Sequence, residues 1–423
     1  MKYSIVTFGC RVNQADSLRI EEDLRARGGI AVPSSDADLV IVNTCSVTST
    51  ADQGARQAIR RVARDNPSAA VIVTGCYATR RPEDVAALPN VIRVVGNHEK
   101  GWLVQSTAER FGDGDGACGA PIEPGVAGRT AFTLRVQTGC EERCSYCIIP
   151  TTRGAGRSLP IDHVLREVER VAAAGFKEIA LTGVHLGSYG RDLAPPSSFV
   201  SLLRALDSFP ADVTFRISSL EPMDCTPEII GLVVDSQGRF APHFHLPLQH
   251  ASDRMLGLMR RPYTQNYYRR LVDSIVDRLP HASIGTDMIV GFPGETDDDF
   301  LANLDYLPAS PLSHIHVFPY SDRPGTDATA MPAKVPGTII RERGTRLRAI
   351  GASLARRFKQ SQIGTVRPGL TIEDGTLVVT DNYLKVRIPA GLARNRRIAV
   401  RLDEEGGTVV GVGGARLSTG TGD

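Results

Sequence analysis

Residues 132–150 read FTLRVQTGCEERCSYCIIP: an alternating strand-like run, a glycine, then Cys140, Cys144 and Cys147 in a C-x3-C-x2-C pattern. Spacings this short let one loop wrap a cubic iron–sulfur cluster, and three thiolates leave its fourth iron open. Zinc usually takes four Cys or His ligands, often from Cys-x2-Cys pairs, so it suits this loop less well.

Downstream, the strand-like runs EIALTGV, VTFRISSL, HFHLPLQ, SIGTDMIVGF and HIHVFPY follow FTLRVQ, separated by helix-like stretches such as 161–174 and 267–279. Six or so βα units within 131–355 predict a full or partial βα barrel. Upstream, YSIVTF, ADLVIVN and AAVIVTG alternate with helix-like 16–27, 50–64 and 81–88, which predicts a doubly wound parallel sheet over 1–104. The Gly- and Pro-dense segment within 105–130 reads as a linker. Past a helix-like stretch at 339–360, residues 356–415 end in a Gly-punctuated small β domain, and 416–423 is a tail.

The upstream sheet carries its own cysteines. Cys10, Cys45 and Cys76 each lie just past the carboxyl end of an expected parallel strand, with 34 and 30 residues between them. Those ends share one edge of an open sheet, where ligands gather, so three loops can bring three thiolates together. Cys118 in the linker and Cys225 in EPMDC have no partner at ligand spacing and read as spare thiols.

The chain has 423 residues, 42% hydrophobic and 23% charged, enough for two to four domains and too apolar for bulk disorder. Eight cysteines in such a chain favour metal or catalytic roles over disulfides. No apolar run is long enough for a membrane-spanning helix. The opening MKYSIVTFGC runs straight into a strand without a secretory signal, so the expected address is cytoplasmic, with no membrane partner. Residues 341–400 hold 13 Lys or Arg against 4 Asp or Glu, while the whole chain is only +2. A basic C-terminal block on an otherwise acidic chain suggests a polyanion contact.

Two His pairs, His243 with His245 and His314 with His316, sit two apart on expected strands and share a face. They could bind metal in a hydrolase, a reading that leaves six well-placed cysteines unexplained; barrel lining is the expected role. IVGFPGET (289–296) resembles a phosphate-cradling Gly loop and reads either as a turn beside a cofactor or as a strand-to-helix turn capped by Thr296.

With Tyr146 just before the last cysteine, C-x3-C-x2-C resembles the radical S-adenosylmethionine signature. VQTGCEERCSYCIIPTTRGAGRS and TFGCRVNQADS, with LTGVHLGSYG, RISSLEP, HLPLQHASDRMLGLMRRPYT, TDMIVGFPGETDDDF and HVFPYSDRPGTDA, resemble the methylthiotransferases over nearly the whole chain. The resemblance implies an N-terminal methylthiotransferase domain, a central radical-SAM partial βα barrel and a C-terminal TRAM-like RNA-binding domain. The RVNQ after Cys10, the CSYCIIP loop and RGAGRS look most like the branch acting on N6-threonylcarbamoyladenosine at position 37 of tRNA, next to the anticodon. Branches acting on isopentenyladenosine in tRNA or a ribosomal-protein aspartate are the alternatives, and a non-catalytic iron–sulfur RNA-binding or redox-sensing protein is a distant one.

Carried over, the resemblance gives Cys140, Cys144 and Cys147 a [4Fe–4S] cluster that binds S-adenosylmethionine. Reductive cleavage there would give a 5′-deoxyadenosyl radical, able to take hydrogen from an unactivated aromatic carbon. Cys10, Cys45 and Cys76 would hold an auxiliary [4Fe–4S] cluster carrying the sulfur to be inserted, and a second S-adenosylmethionine would supply the methyl group. Tyr146, Thr182, Gly183, Arg216 and Ser218 are expected near S-adenosylmethionine. Lys385, Arg387, Arg394, Arg396 and Arg397 are expected to meet tRNA phosphates. A flavodoxin- or ferredoxin-type electron donor and a sulfide source are implied partners, and a monomer suffices.

Overall fold

The computed structural model describes residues 1–105, 123–124 and 130–412; Cys118, most of the expected linker and the 416–423 tail lie outside the described residues. The chain divides into two units, one of Met1–Ile122, Thr138–Gly156 and Ser321–Thr329, the other of Glu123–Gln137, Arg157–Tyr320 and Ala330–Asp423. The 140–147 cysteine loop thus belongs to the same unit as the N-terminal sheet.

That sheet is parallel throughout and runs Ile30–Ala31, Lys2–Thr7, Leu39–Thr44, Ala70–Gly75, Val91–Val95 from edge to edge. The central LVIVNT strand is buried at every residue because helices cover both faces. Its alternation sorts Val40 and Val42 to the face packed by Ala55, Ile59 and Val62 of helix Ser49–Asp65. Leu39 and Ile41 go to the face packed by Ile20 and Leu24 of helix Arg11–Ala26. Each such fully buried aliphatic side chain contributes roughly 1.5–3 kcal/mol.

Two helices differ from expectation. The first starts at Arg11 rather than 16, because its inward face carries Asn13, Asp16 and Ser17, which break the apolar period. The expected 81–88 helix shortens to Pro82–Ala86, and a separate short helix, Cys76–Arg80, precedes it, since Pro82 forces Arg81 out of helical geometry (φ −135°, ψ 60°).

The second unit holds six parallel strands in sequence order: Phe132–Arg135, Glu178–Thr182, Thr214–Ile217, His243–His245, Ser283–Val290 and His314–Pro319. Bridges Phe215–Phe240 and Ser219–His245 join the two triplets into a partial βα barrel. Five of its helices begin at Ser or Thr caps: the side chains of Ser198, Thr226, Ser252, Thr264 and Thr296 each accept from an amide three residues on. In IVGFPGET the carboxylate of Glu295 accepts from the Gly291 amide and meets Arg343 at 3.1 Å. The loop therefore satisfies its own donor with an internal anion, and Thr296 caps the following helix in a capping box with Asp299. This is the turn, not the phosphate cradle.

Helix Gly337–Ser361 runs through the expected boundary at 355/356. A five-stranded antiparallel sheet follows, ordered Lys385–Arg387, Leu377–Thr380, Val366–Ile372, Arg397–Leu402, Gly407–Val412, around Val378, Val386, Ile398 and Val400. Two expected site residues tie this sheet to the barrel strands. Arg216 is 1% exposed; its guanidinium forks onto the Glu178 carboxylate at 3.0 and 3.0 Å. It also donates to the carbonyls of Asp381 (2.8 Å) and Thr380 (3.3 Å) and lies over the Tyr383 ring. Arg397 pairs with Asp212 and donates to the carbonyls of Lys177 (3.0 Å) and Asp212 (3.1 Å). Arg216 is thus engaged by Glu178 and the C-terminal sheet, and Arg397 by Asp212.

Removing one partner of a buried ion pair costs about 3–5 kcal/mol, because the other charge is left uncompensated. Arg216→Met is therefore expected to lower the urea-unfolding midpoint strongly. Calorimetric titration should find S-adenosylmethionine affinity unchanged in the folded variant.

Candidate functional site

The first unit brings Cys10, Cys45 and Cys76 to one sheet edge. Each follows one of three adjacent parallel strands, Lys2–Thr7, Leu39–Thr44 and Ala70–Gly75. The strand order reverses between the first two, so Cys10 and Cys45 flank the switch point where such sheets bind ligands. Cys10 is the N-cap of helix Arg11–Ala26 and Cys76 opens helix Cys76–Arg80. Cys10 is exposed, while Cys45 and Cys76 are buried. Burial pushes the Cys45 thiol up to about 11, and the negative charge of Cys10 and Cys76 raises it further against the Val47 amide. The three sulfurs thus lie within electrostatic reach of one another. Gly9, at φ +91°, makes room: a Cβ there would stand 2.6 Å from the Cys45 sulfur.

Two buried cationic groups flank this set. Arg153 donates to Asn13 and to Asp16 (3.2 Å), and Lys100 donates to the same Asp16 carboxylate (2.9 Å) and to Asn43 (3.1 Å). Burial opposes the charge on Arg153, but Asp16 and the Cys76 and Cys10 thiolates outweigh it and hold the guanidinium protonated. Beside Cys45, Asp52 pairs with both Arg80 and Arg323 (2.8 Å). Among the described residues the Nε groups of Arg153 and Arg323 are buried with no hydrogen-bond partner. An orphaned buried donor costs about 1–3 kcal/mol, so the site fits an anionic, sulfur-rich group that accepts from them. Asn97 adds a contact to the Cys76 sulfur at 3.6 Å.

The second set sits in the same unit on a loop held by its own backbone. The Cys140 amide donates to the Gly154 carbonyl (3.0 Å), the Cys147 amide to the Cys144 carbonyl (3.1 Å), and the Glu142 amide to the Cys140 sulfur (3.4 Å). Gly139, at φ +77°, lets the strands close, since a Cβ there would be 1.9 Å from the Ala155 carbonyl oxygen. All three cysteines are half-buried and outside any disulfide, and Tyr146 beside them is half-buried too. Three soft donors in one short loop, with no fourth, suit an iron–sulfur cluster with an open iron. Helix Ile149–Arg153 leaves this loop and delivers Arg153 to the first set.

In the second unit Thr182 is buried at a strand end, and Gly183 leaves no room for a Cβ beside Leu186 and Gln137. Gln137 Oε1 accepts from the amides of Val184 (3.0 Å) and His185 (2.9 Å), and His185 meets Asp224 at 2.8 Å. Ser218 is buried. Lys385, Arg387, Arg394 and Arg396 are exposed on the C-terminal sheet and its loops. Cys225 is 1% exposed, its thiol pushed up to about 12 by burial and by Asp224.

Sequence reading missed Asn13, Asp16, Asn97, Lys100, Arg153, Asp52 and Arg323. The signal was present for two: Asn13 and Asp16 lie in the RVNQADS run, as polar residues at helical spacing on an inward face.

Residues 2–96 match the family described as Uncharacterized protein family UPF0004, and residues 134–307 match the Radical SAM superfamily. Threonylcarbamoyladenosine tRNA methylthiotransferase MtaB of Aquifex aeolicus is 36% identical, the match covering 92% of this chain and 96% of that protein. MtaB of Bacillus subtilis is 35% identical, covering 90% and 88%. The tRNA-2-methylthio-N(6)-dimethylallyladenosine synthase of Paenarthrobacter aurescens is 32% identical, covering 86% and 73%. Among solved structures, the radical S-adenosylmethionine methyltransferase TsrM of Kitasatospora setae, with cobalamin and a [4Fe–4S] cluster bound, shares the fold at TM-score 0.55 and 17% identity, over 78% of this chain and 77% of that one.

The Asp16 carboxylate is expected to be the keystone of the first unit. Asp16→Asn leaves Lys100 and Arg153 buried without their counter-charge, at a cost of about 3–5 kcal/mol, read from urea denaturation.

Proposed function

Because the chain belongs to the radical S-adenosylmethionine methylthiotransferase family, we propose that it converts N6-threonylcarbamoyladenosine at position 37 of tRNA to its 2-methylthio derivative. The observation that carries the reading is the pairing of two three-cysteine sets in one unit. In this reading Cys140, Cys144 and Cys147 hold a [4Fe–4S] cluster that binds S-adenosylmethionine, and Cys10, Cys45 and Cys76 hold an auxiliary one. Bound clusters of this kind supply an electron and an open iron, the chemistry needed to break an unactivated aromatic C–H bond.

The chain's own residues prepare the site. Arg153, with Lys100 behind Asp16, sets positive charge beside the first cysteine set, which offsets the thiolates and any sulfide held there. Arg80 and Arg323 do the same beside Cys45 through Asp52. Gly9 keeps the Cys45 sulfur clear of the turn carrying Cys10. Exposed Lys385, Arg387, Arg394 and Arg396 steer the tRNA backbone. A low-potential flavodoxin- or ferredoxin-type protein delivers electrons, two S-adenosylmethionine molecules serve each turnover, and the tRNA substrate sets the cytoplasm as workplace.

Nucleoside mass spectrometry of host tRNA with and without the gene tests the substrate. Loss of 2-methylthio-N6-threonylcarbamoyladenosine, with accumulation of the unthiolated nucleoside, is expected. Loss of the methylthiolated isopentenyladenosine instead would move the chain to the other tRNA branch. For the two-cluster assignment, Cys45→Ala and Cys144→Ala are each expected to retain about half of the wild-type iron after anaerobic reconstitution. Full iron in both variants defeats it.

A further inference from the structure

The second unit carries a constellation that the methylthiotransferase reading does not use. On the neighbouring strands His243–His245, Ser283–Val290 and His314–Pro319, pairing aligns His245 with Gly285 and Gly285 with His314. The next residue on the same face pairs Asp287 with His316. Gly285 is the reason the imidazoles meet. A Cβ there would lie 2.0 Å from His314 Nε2, so the ring fills the space a side chain would occupy. One nitrogen from each of His245, His314 and His316 falls within 4.8 Å of the others. Side-chain rotation closes that spread to the roughly 3.3 Å edge of a tetrahedron with metal–nitrogen bonds of about 2.0–2.1 Å. His243, the fourth histidine, stacks on Tyr383 and lies outside the ligand set.

The hydrogen bonds fix which nitrogens are available. Ser313 Oγ donates to the Ile284 carbonyl (2.9 Å), so at 3.0 Å from His314 Nδ1 it accepts that ring's N–H. His314 Nε2 is then the bare lone pair. Asp287 Oδ1 lies 3.0 Å from His245 Nε2, the carboxylate–imidazole contact that orients metal-binding histidines.

We propose that His245, His314 and His316, with Asp287 beside them, form a binding site for one borderline divalent transition-metal ion of the zinc class. Imidazole donors select that class over magnesium or calcium. Three histidines leave a coordination position open, and exposed His316 gives the ion a way in. No cysteine belongs to the site, so it stands or falls independently of the iron–sulfur assignment.

The test uses the full chain, anaerobically reconstituted with iron and sulfide, titrated with Co2+ as a spectroscopic probe and with Zn2+ in competition. One Co2+ per chain is expected, with visible ligand-field bands and no thiolate charge transfer, displaced by one Zn2+. His245→Ala/His316→Ala is expected to abolish it with iron content unchanged, which also reports that the variant is folded. Asp287→Asn is expected to weaken Zn2+ about 10–100-fold. Binding that survives the double substitution, cobalt bands of thiolate character, or no uptake beyond that of the double variant overturns the proposal.

Discussion

One buried carboxylate organises the first unit. Asp16, on the inward face of the first helix, neutralises both Lys100 and Arg153, which arrive from distant parts of the chain. Arg153 ends the short helix that follows the 140–147 cysteines. The contact therefore fastens the loop bearing one cysteine set to the sheet bearing the other. Desolvating three charges is unfavourable, and the arrangement holds because Asn13, Asn43 and Thr138 take up further donors and acceptors.

The parts of the fold legible in the sequence were those where one force dominates. LVIVNT and AVIVTG are buried on both faces and read as continuous β-branched runs. The cysteine sets were legible because ligand chemistry fixes residue type and spacing. What stayed hidden depends on contacts remote in sequence: Asp16 and Arg153 are 137 residues apart, and Arg216 and Asp381 are 165 apart. Read along one strand, Arg216 looks like a lone inward cation; the partners that engage it include carbonyls of the C-terminal sheet, far along the chain. The start of the first helix was obscured for the same reason, since its buried positions are polar to meet those remote partners.

The barrel strands are two-sided in character. Phe215, Ile217, Ile179 and Phe244 fill one face. The alternate positions place Glu178, Arg216, His243 and His245 on the other, where the turn around Tyr383 meets both Arg216 and His243. A polar barrel face needs a partner for each donor it buries, and the C-terminal sheet supplies several as backbone carbonyls.

That seam has a mechanical consequence. The C-terminal sheet is latched to the barrel at separate points, by Arg216 donating to the Asp381 and Thr380 carbonyls, by Arg397 with Asp212, and by the Asn395 amide on the Gly175 carbonyl. A sheet pinned at several points cannot pivot as a tethered adaptor would. Transplanting such a sheet between relatives would then require carrying both sides of the latch, since Arg216 left behind and Arg397 carried along would each lose their acceptors.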